Sequence, residues 1–518
     1  MKGDFSRVSF DAKKHFSSVL LQQGRVSLDA DPNEEGAILL HYLRTLARDL
    51  IGPRGGPSDN LGFELTLDET DHNHPKLMIG KGRYYVDGIL VEIDENCDYA
   101  HQPDSAPDAD DALLRRLNAS DGEDVWVYLD VWERHVTWIE DDSIREPALD
   151  GPDTCSRAQV VWQVRAIARD QLLGTLTTRR DEIAARIKQV PVDTDESRAL
   201  QVQLDSLDQD INRLTVTNGQ GGMDCTAPLD ALGLSDAQMT ARLDPGQQIK
   251  DACAVSPDAL YRGAENQLYR VELHRGTGSV NGPTFKWSRE NGSIATRWLG
   301  TEGNDVMVTN GRGFTAGAWI ELTDDSNEVT GHPGILVKLT SVDGDRLSVD
   351  PASIPTTASI AFTQALRHAK VRRWDQTERD DITLDEGAVP LLEVATNDAN
   401  WLTLENGIQV QFASGGSYRS GDYWLIPARS ATGSILWPHT IDTKGDTQWQ
   451  ARSPDGVEHH YAPLGFIGAN SDSALSVTPC LCEIAVINSC GQQRINRDTA
   501  VSVSSATAKQ VRARKPNK

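Results

Sequence analysis

From residue 260 to residue 430 the sequence is cut into short apolar stretches by glycine, asparagine and aspartate. LYRVELH (268–274), TFKWSRE (284–290), SIATRWL (293–299), AWIELTD (318–324), ILVKLTSV (335–342), RLSVD (346–350), WLTLE (401–405), IQVQF (408–412) and DYWLIPA (422–428) are too short for stable helices and rich in β-branched and aromatic residues. Stretches of this length read as strands, and many in succession predict sandwiches or barrels. Val342-Asp343-Gly344-Asp345 carries an Asp-Gly turn signal between two of them. The chain shows no internal repeat of 20–50 residues, so a solenoid is not supported.

The same reading holds nearer the start of the chain. Arg83 to Ile93 (RYYVDGILVEI) is a hairpin centred on Asp87-Gly88, and Val125 to Val136 (VWVYLDVWERHV) is a long strand. One segment breaks the β pattern. Leu172, Leu176, Ile183, Ile187 and Val190 share a helical stripe, and Leu200, Leu204, Leu207, Ile211 and Leu214 recur at spacings of 4, 3, 4 and 3. That is a heptad seam, with Pro191–Asp195 as the turn between two arms, each expected to seal the other. The expected fold is therefore mainly β, in sandwich- or barrel-like domains, with an N-terminal helix and an inserted antiparallel coiled-coil hairpin. The expected divisions are an N-terminal docking segment at 1–60, a β-rich domain at 61–164, the hairpin at 165–220, further β-rich structure at 221–495 and a basic, disordered tail at 496–518.

With 518 residues the chain is too long for one core, and two to four domains are expected. Its formal charge of −25 repels nucleic acid and anionic membrane, whose phosphates call for Lys and Arg. The start, MKGDFSRVSFDAKKH, has no apolar signal-peptide core, and no run of 18 apolar residues occurs, so neither a signal peptide nor membrane insertion is expected. Seven scattered cysteines fit synthesis in a reducing cytoplasm.

Residues 22–35, QQGRVSLDADPNEE, run from a weak alternation into a cluster of acids. Residues 16–29 are expected to form a short hairpin or bent strand pair. Asp29, Asp31 and Asn33 match the first three ligand positions of a calcium loop, but the sixth position, a glycine in such loops, is Glu34, and the twelfth, a glutamate, is Leu40. A helix start accounts for the acids without a ligand. Asp31 fits the N-cap, Pro32 the first turn and Glu34 the capping box, followed by Ile38, Leu39, Tyr42, Leu43, Leu46 and Leu50 at helical spacing, with Gly52-Pro53 as the stop. Arg25 is expected to pair with a nearby acid.

Other candidate sites are weaker. Cys480 and Cys482 alternate on a strand and face the same way. With Cys490 they leave buried thiols, a disulfide or a metal open, although C-x-C lacks the pairs and fourth ligand of a structural zinc site. His72, His74, His459 and His460 sit in polar, turn-like contexts that suit hydrogen bonding better than metal binding. The nucleophile elbow, the P-loop and the dinucleotide fingerprint are all missing. The tryptophans at 287, 298, 374, 401, 424 and 437 lie within strand-like stretches, which favours core packing; a sugar-stacking surface beside some of the 76 acids is the alternative.

Several phrases together carry a resemblance. MKGDFSRVSFDAKKHFSSVLLQQGRVSLDADPNEE, RGAENQLYRVELH, FKWSRENGSIATRW, WIELTDDSNEV, YRSGDYWLIPAR and VEHHYAPLG, in this order, resemble a bacterial family found with phage-tail-like, extracellular contractile injection systems. The resemblance spans most of the chain. The sequence departs from it at Pro32, where the family tends to carry Trp, and in its longer coiled-coil segment. Family members often end in fibre-like or β-helical material, which is not expected up to residue 518. The resemblance implies a structural, non-catalytic part of an injection particle at or near the baseplate or fibre, homo-oligomeric, with baseplate, tube or sheath proteins as partners and no cofactor or metal. It also implies a chain made in the cytoplasm and able to leave the cell with the particle. In that setting Gln23, Arg25, Asp29 and Asn33 form the expected partner-facing side of the N-terminal segment. A carbohydrate-binding or carbohydrate-active β protein is the alternative, and an adaptor that binds another coiled coil through the hairpin is a third.

Overall fold

Asp87 and Gly88 both take left-handed backbone, with φ of 48° and 80°, and close a two-residue turn between strands Gly82–Val86 and Ile89–Ile93. The hairpin belongs to a computed structural model that describes residues 1–70, 75–104, 106–107, 111–118, 123–149, 153–188, 195–215, 225, 229, 232, 237–245, 260–380, 382–394, 400–443, 447–469 and 475–484. The architecture is mainly β. Its helices among the described residues are α1 (Ala30–Ile51), α2 (Ala112–Asn118), α3 (Arg169–Ile187), α4 (Asp195–Thr215) and α5 (Asp325–Thr330).

Three sheets surround a first core. The Asp87-Gly88 hairpin pairs with Arg54–Pro57, and Leu65–Asp68 pairs with Lys76–Ile79. The long strand Val125–Val136 forms as expected and runs antiparallel to Arg157–Ala168 over its full length. Phe63, Leu77, Tyr84, Val91, Val127, Leu129 and Leu464 share the buried interior. The chain returns to this body from far away. Strand His460–Ala469, within the 221–495 stretch, pairs with Val125–Val136, and Glu483–Ile484 lies parallel to Arg54–Pro57.

A second core lies between two sheets. Strands Gln267–Arg275, Thr284–Ser288 and Tyr423–Arg429 form one face, and Met239–Leu243 with Ile408–Ala413 the other. Tyr269, Phe285, Trp287, Phe412 and Trp424 fill the space between them. Between Thr284–Ser288 and Val389–Pro390 the chain makes a closed six-stranded barrel. Its strands, in order around the barrel, are Ala295–Glu302, Asp305–Val308, Arg346–Val349, Ile335–Asp343, Trp319–Thr323 and Lys370–Trp374. Val306, Ile320, Val337, Leu347 and Val371 are its fully buried interior. Gly344, with φ of 60°, sits in the turn the sequence marks there.

Helices α3 and α4 lie side by side. Leu172, Leu176 and Ile183 of one share a buried cluster with Leu200, Leu207 and Leu214 of the other. Arg169, at the start of α3, donates to the Leu214 carbonyl at the end of α4, so the two run antiparallel. Their base packs on Trp126, Tyr128 and Ile167 of the first body. Of the turn expected at Pro191–Asp195, Asp195 begins α4 and residues 191–194 lie outside the described residues, as does the tail at 496–518.

Two expectations near the N-terminus are corrected. Residues 16–29 contain no strand, because no neighbouring strand offers them a ladder. The capping box does not form either. Helix α1 begins at Ala30 with Asp29 as its N-cap residue, in helical backbone and without a side-chain cap bond, and Asp31 lies inside the first turn. Gly52, with φ of 92°, ends the helix as the sequence indicates.

Candidate docking surface

The acids of DADPNEE fasten the preceding chain to α1. Asp29 accepts from the Ser6 amide at 2.8 Å, Asp31 from the Leu28 amide at 3.0 Å, Glu34 from the Ser9 hydroxyl at 2.5 Å and Glu35 from the Val19 amide. Slight burial raises the Asp29 pKa, but the Ser6 hydrogen bonds outweigh it and hold the carboxyl below its usual value. An irregular arm, residues 6–28, with one short 3-10 turn at Ala12–Lys14, therefore lies pinned to the start of the helix by carboxylates, which stand in for a strand partner.

Only Ala30 and Ile38 of the 22 residues in α1 are buried. The side toward the body is held by a few contacts. Arg44 meets Glu133 at 2.8 Å, Arg48 meets Asp87 at 3.6 Å, and the Arg44 carbonyl comes so close to Gly88 that a Cβ there would stand 2.1 Å from it. Gly88 thus serves both the hairpin turn and the seat of the helix. The other side carries Leu39, Leu43, Leu46 and Leu50, exposed by 53, 64, 56 and 76%. Phe16, Leu20, Leu21, Val26 and Leu28 of the arm are exposed as well. So many strongly exposed large apolar side chains on one segment go beyond the scattered single ones normal on a monomer's surface.

Of the residues expected to face a partner, Gln23, Arg25, Asp29 and Asn33 are all exposed on this arm and helix start. The Asp29 carboxylate is engaged with Ser6. Arg25 has no carboxylate within ion-pair distance among the described residues, contrary to the expected pairing, because the neighbouring acids turn toward backbone amides and a serine hydroxyl instead. Sequence reasoning noted the helical spacing of the leucines but not that the fold turns them outward. Their 4-3-4 spacing was the available signal.

Behind α1 a charged junction ties the parts of the molecule together. Glu272 of the sandwich receives Lys2 at 3.1 Å, Arg270 at 2.5 Å and Lys286 at 3.3 Å. Lys286 reaches on to Glu321 of the barrel at 2.5 Å, and the Trp374 indole donates to the same carboxylate at 2.9 Å. Lys370 of the barrel contacts Glu140 of the first body at 2.6 Å and Glu328 of α5 at 2.9 Å. Burial raises the pKa of Glu321 and Glu328, but Lys286 with Lys2 around the first, and Lys370 with Lys2 and Arg372 around the second, together outweigh it and bring both down to about 2. Burial alone lowers Lys370, and its two carboxylates reverse the direction. A cavity of about 300 Å³ opens here, lined by Lys2, Glu140, Glu272, Lys286, Glu321 and Arg372 among others. Its lining charges are balanced by close pairing, the pattern of a structural network.

The remaining candidates resolve as follows. Cys480 bonds to Cys225, 255 residues away, while Cys482 is exposed and free. Cys490, His72 and His74 lie outside the described residues. His459 meets Asp130 at 2.7 Å and His460 meets Asp87 at 3.0 Å, the hydrogen-bonded role their context suggests. Trp287, Trp298, Trp374, Trp424 and Trp437 are buried, and the half-buried Trp401 has the Arg242 guanidinium 3.9 Å over its ring. These six indoles do not form an open stacking surface. No helix among the described residues is long and apolar enough to cross a membrane.

Fold and surface together define a mainly β protein of several sheets and one closed barrel, carrying an apolar helix and arm on its outside. The chain belongs to DUF6519, a family of unknown function, which matches residues 1–515. A search of curated proteins finds no match. Among solved structures, one titled "Crystal structure of TssK" aligns with 9% identity over 78% of this chain and 99% of that chain, at a TM-score of 0.15. A score this low demonstrates no common fold.

Proposed function

We propose that this chain is a structural, non-catalytic component of a phage-tail-like contractile injection particle, at the baseplate or fibre, acting by protein–protein docking. The observation that carries the docking role is the apolar side of the arm and helix within residues 16–50, with the helix fastened to the body by ion pairs and the arm to the helix by carboxylate–amide bonds. Large apolar surface held on a rigid support is what a docking element requires. The particle itself rests on the resemblance of the phrases from MKGDFSRVSF to VEHHYAPLG. In this reading the arm residues Leu20, Leu21 and Val26 enter the partner's apolar site, Gln23, Arg25, Asp29 and Asn33 form its polar rim, and α3 with α4 is the inserted coiled-coil hairpin. Burial of the tryptophans supports this reading over a glycan-binding one.

The test is co-purification from producing cells. Wild-type chain is expected to bring down baseplate, tube or sheath proteins. Leu20→Asp with Leu21→Asp, and separately Arg25→Glu, are expected to lose them while circular dichroism stays unchanged. Undiminished capture by the folded variants, or glycan hydrolysis by the isolated chain, overturns the proposal.

A further inference from the structure

We infer that the leucine seam of α1 is a self-docking surface, whose occupant is α1 of a second copy of this chain, packed antiparallel. The inference deepens the docking function and rests on it for its biological setting only.

Three observations carry it. First, Leu39, Leu43, Leu46 and Leu50 form a 4-3-4 row along one side of α1, each more than half exposed. Alternating spacings of three and four are those at which leucine knobs fill the holes of a facing helix, so the occupant is helical. Second, 4-3-4 reads the same in both directions. In a two-fold antiparallel pair Leu39 meets Leu50 of the second copy and Leu43 meets Leu46, so the surface is its own complement, as an isologous contact requires. The seam is flanked by Leu40, Tyr42, Ala47 and Asp49, of which Asp49 alone is charged, so no row of like charges opposes this pairing. Third, the area suffices. The four leucines with Leu40 and Tyr42 expose roughly 600 Å² of largely apolar surface, against the roughly 500 Å² of apolar area in the ~800 Å² that each partner contributes to a standard interface.

Charge adds a signature that separates self-docking from other occupants. Each copy carries a formal charge of −25, so two copies repel at long range. Salt screens that repulsion while leaving burial of leucine intact, so self-association tightens as salt rises. A basic partner helix would loosen instead.

Sedimentation of the full chain at micromolar concentration reads the outcome. Wild type is expected at twice 56.7 kDa, with the dimer strengthened by added salt. Leu43→Glu with Leu46→Glu is expected to weaken it at least about tenfold, as loss of central apolar anchors does. These side chains are already exposed, so unchanged circular dichroism confirms an intact fold. In a mixture of Leu43→Cys and Leu46→Cys chains, oxidation is expected to link position 43 of one to position 46 of the other, located by mass spectrometry. A monomeric wild type, a dimer that survives the double glutamate, or cross-linking of position 43 to itself overturns the pairing. A monomer that still co-purifies with particle proteins sinks this inference and leaves the docking function standing. A dimer that brings down no particle protein does the reverse.

Discussion

Lys370, on a barrel strand, holds its ammonium 2.6 Å from the carboxylate of Glu140, which lies 230 residues earlier in a different body of the molecule. Both side chains are almost completely buried, at 1% and 4% exposure. The bond also brings in Glu328 of α5 at 2.9 Å, so one cation secures the barrel, α5 and the first β body together.

Removing that cation leaves buried carboxylates facing each other. Lys370→Met is expected to lower stability by about 3–5 kcal/mol, the cost of orphaning a buried charge. Adding Glu140→Gln and Glu328→Gln to the same chain is expected to recover much of the loss. Denaturant midpoints of the single and triple variants decide the matter. Equal midpoints for wild type and Lys370→Met would show that the junction contributes nothing.

Acid attacks the same junction. Glu321 and Glu328 ionise at about 2 in the folded chain, below the ordinary 4.5 of an unfolded glutamate. A depressed folded value means stability that is complete above pH 4.5 and drains away as pH falls from there toward 2. The urea midpoint is therefore expected to drop steadily across that window, and Glu321→Gln to flatten part of the slope. A midpoint that does not change between pH 4.5 and 2 contradicts the assignment.

The Cys225–Cys480 bond closes a loop across 255 residues of sequence and ties the segment after α4 to the end of strand Leu475–Pro479. Cys225→Ser is expected to reduce stability by about 2–5 kcal/mol, an effect of loop closure in the unfolded chain. Thermal scans with and without reductant give the check: the wild type should respond to reductant and the variant should not.

Gly88 has φ of 80° and stands against the Arg44 carbonyl of α1. Gly88→Ala is expected to cost about 1–2 kcal/mol in backbone strain alone and to push α1 off its seat. Hydrogen exchange should rise across Ala30–Ile51 while the barrel amides stay protected. Unaltered exchange in α1 would show that the close approach does not hold the helix.

Legibility followed distance along the chain. The Asp87-Gly88 hairpin, the strand from Val125 to Val136, four of the six barrel strands and the apolar stripes of α3 and α4 were visible in the sequence, whereas the barrel strands Asp305–Val308 and Lys370–Trp374 were not read as strands. DADPNEE was read as the start of a helix, which forms at Ala30, but the part its acids play was missed. Its carboxylates serve amides and a hydroxyl up to 25 residues away instead of the helix end beside them. The leucines of α1 were recognised as helical, yet periodicity states only that a face exists and is silent on whether the body covers it.

Acting alone, the sequence determined the local elements, because apolar alternation, Asp-Gly turns and heptad spacing work through neighbours within about ten residues. Tertiary structure decided the rest: the return of His460–Ala469 to the first body, the pairing of Cys225 with Cys480, the meeting of Lys370 with Glu140, and the outward turn of Leu39, Leu43, Leu46 and Leu50. Each depends on which surfaces compete for burial once distant segments have met, a contest no local pattern records.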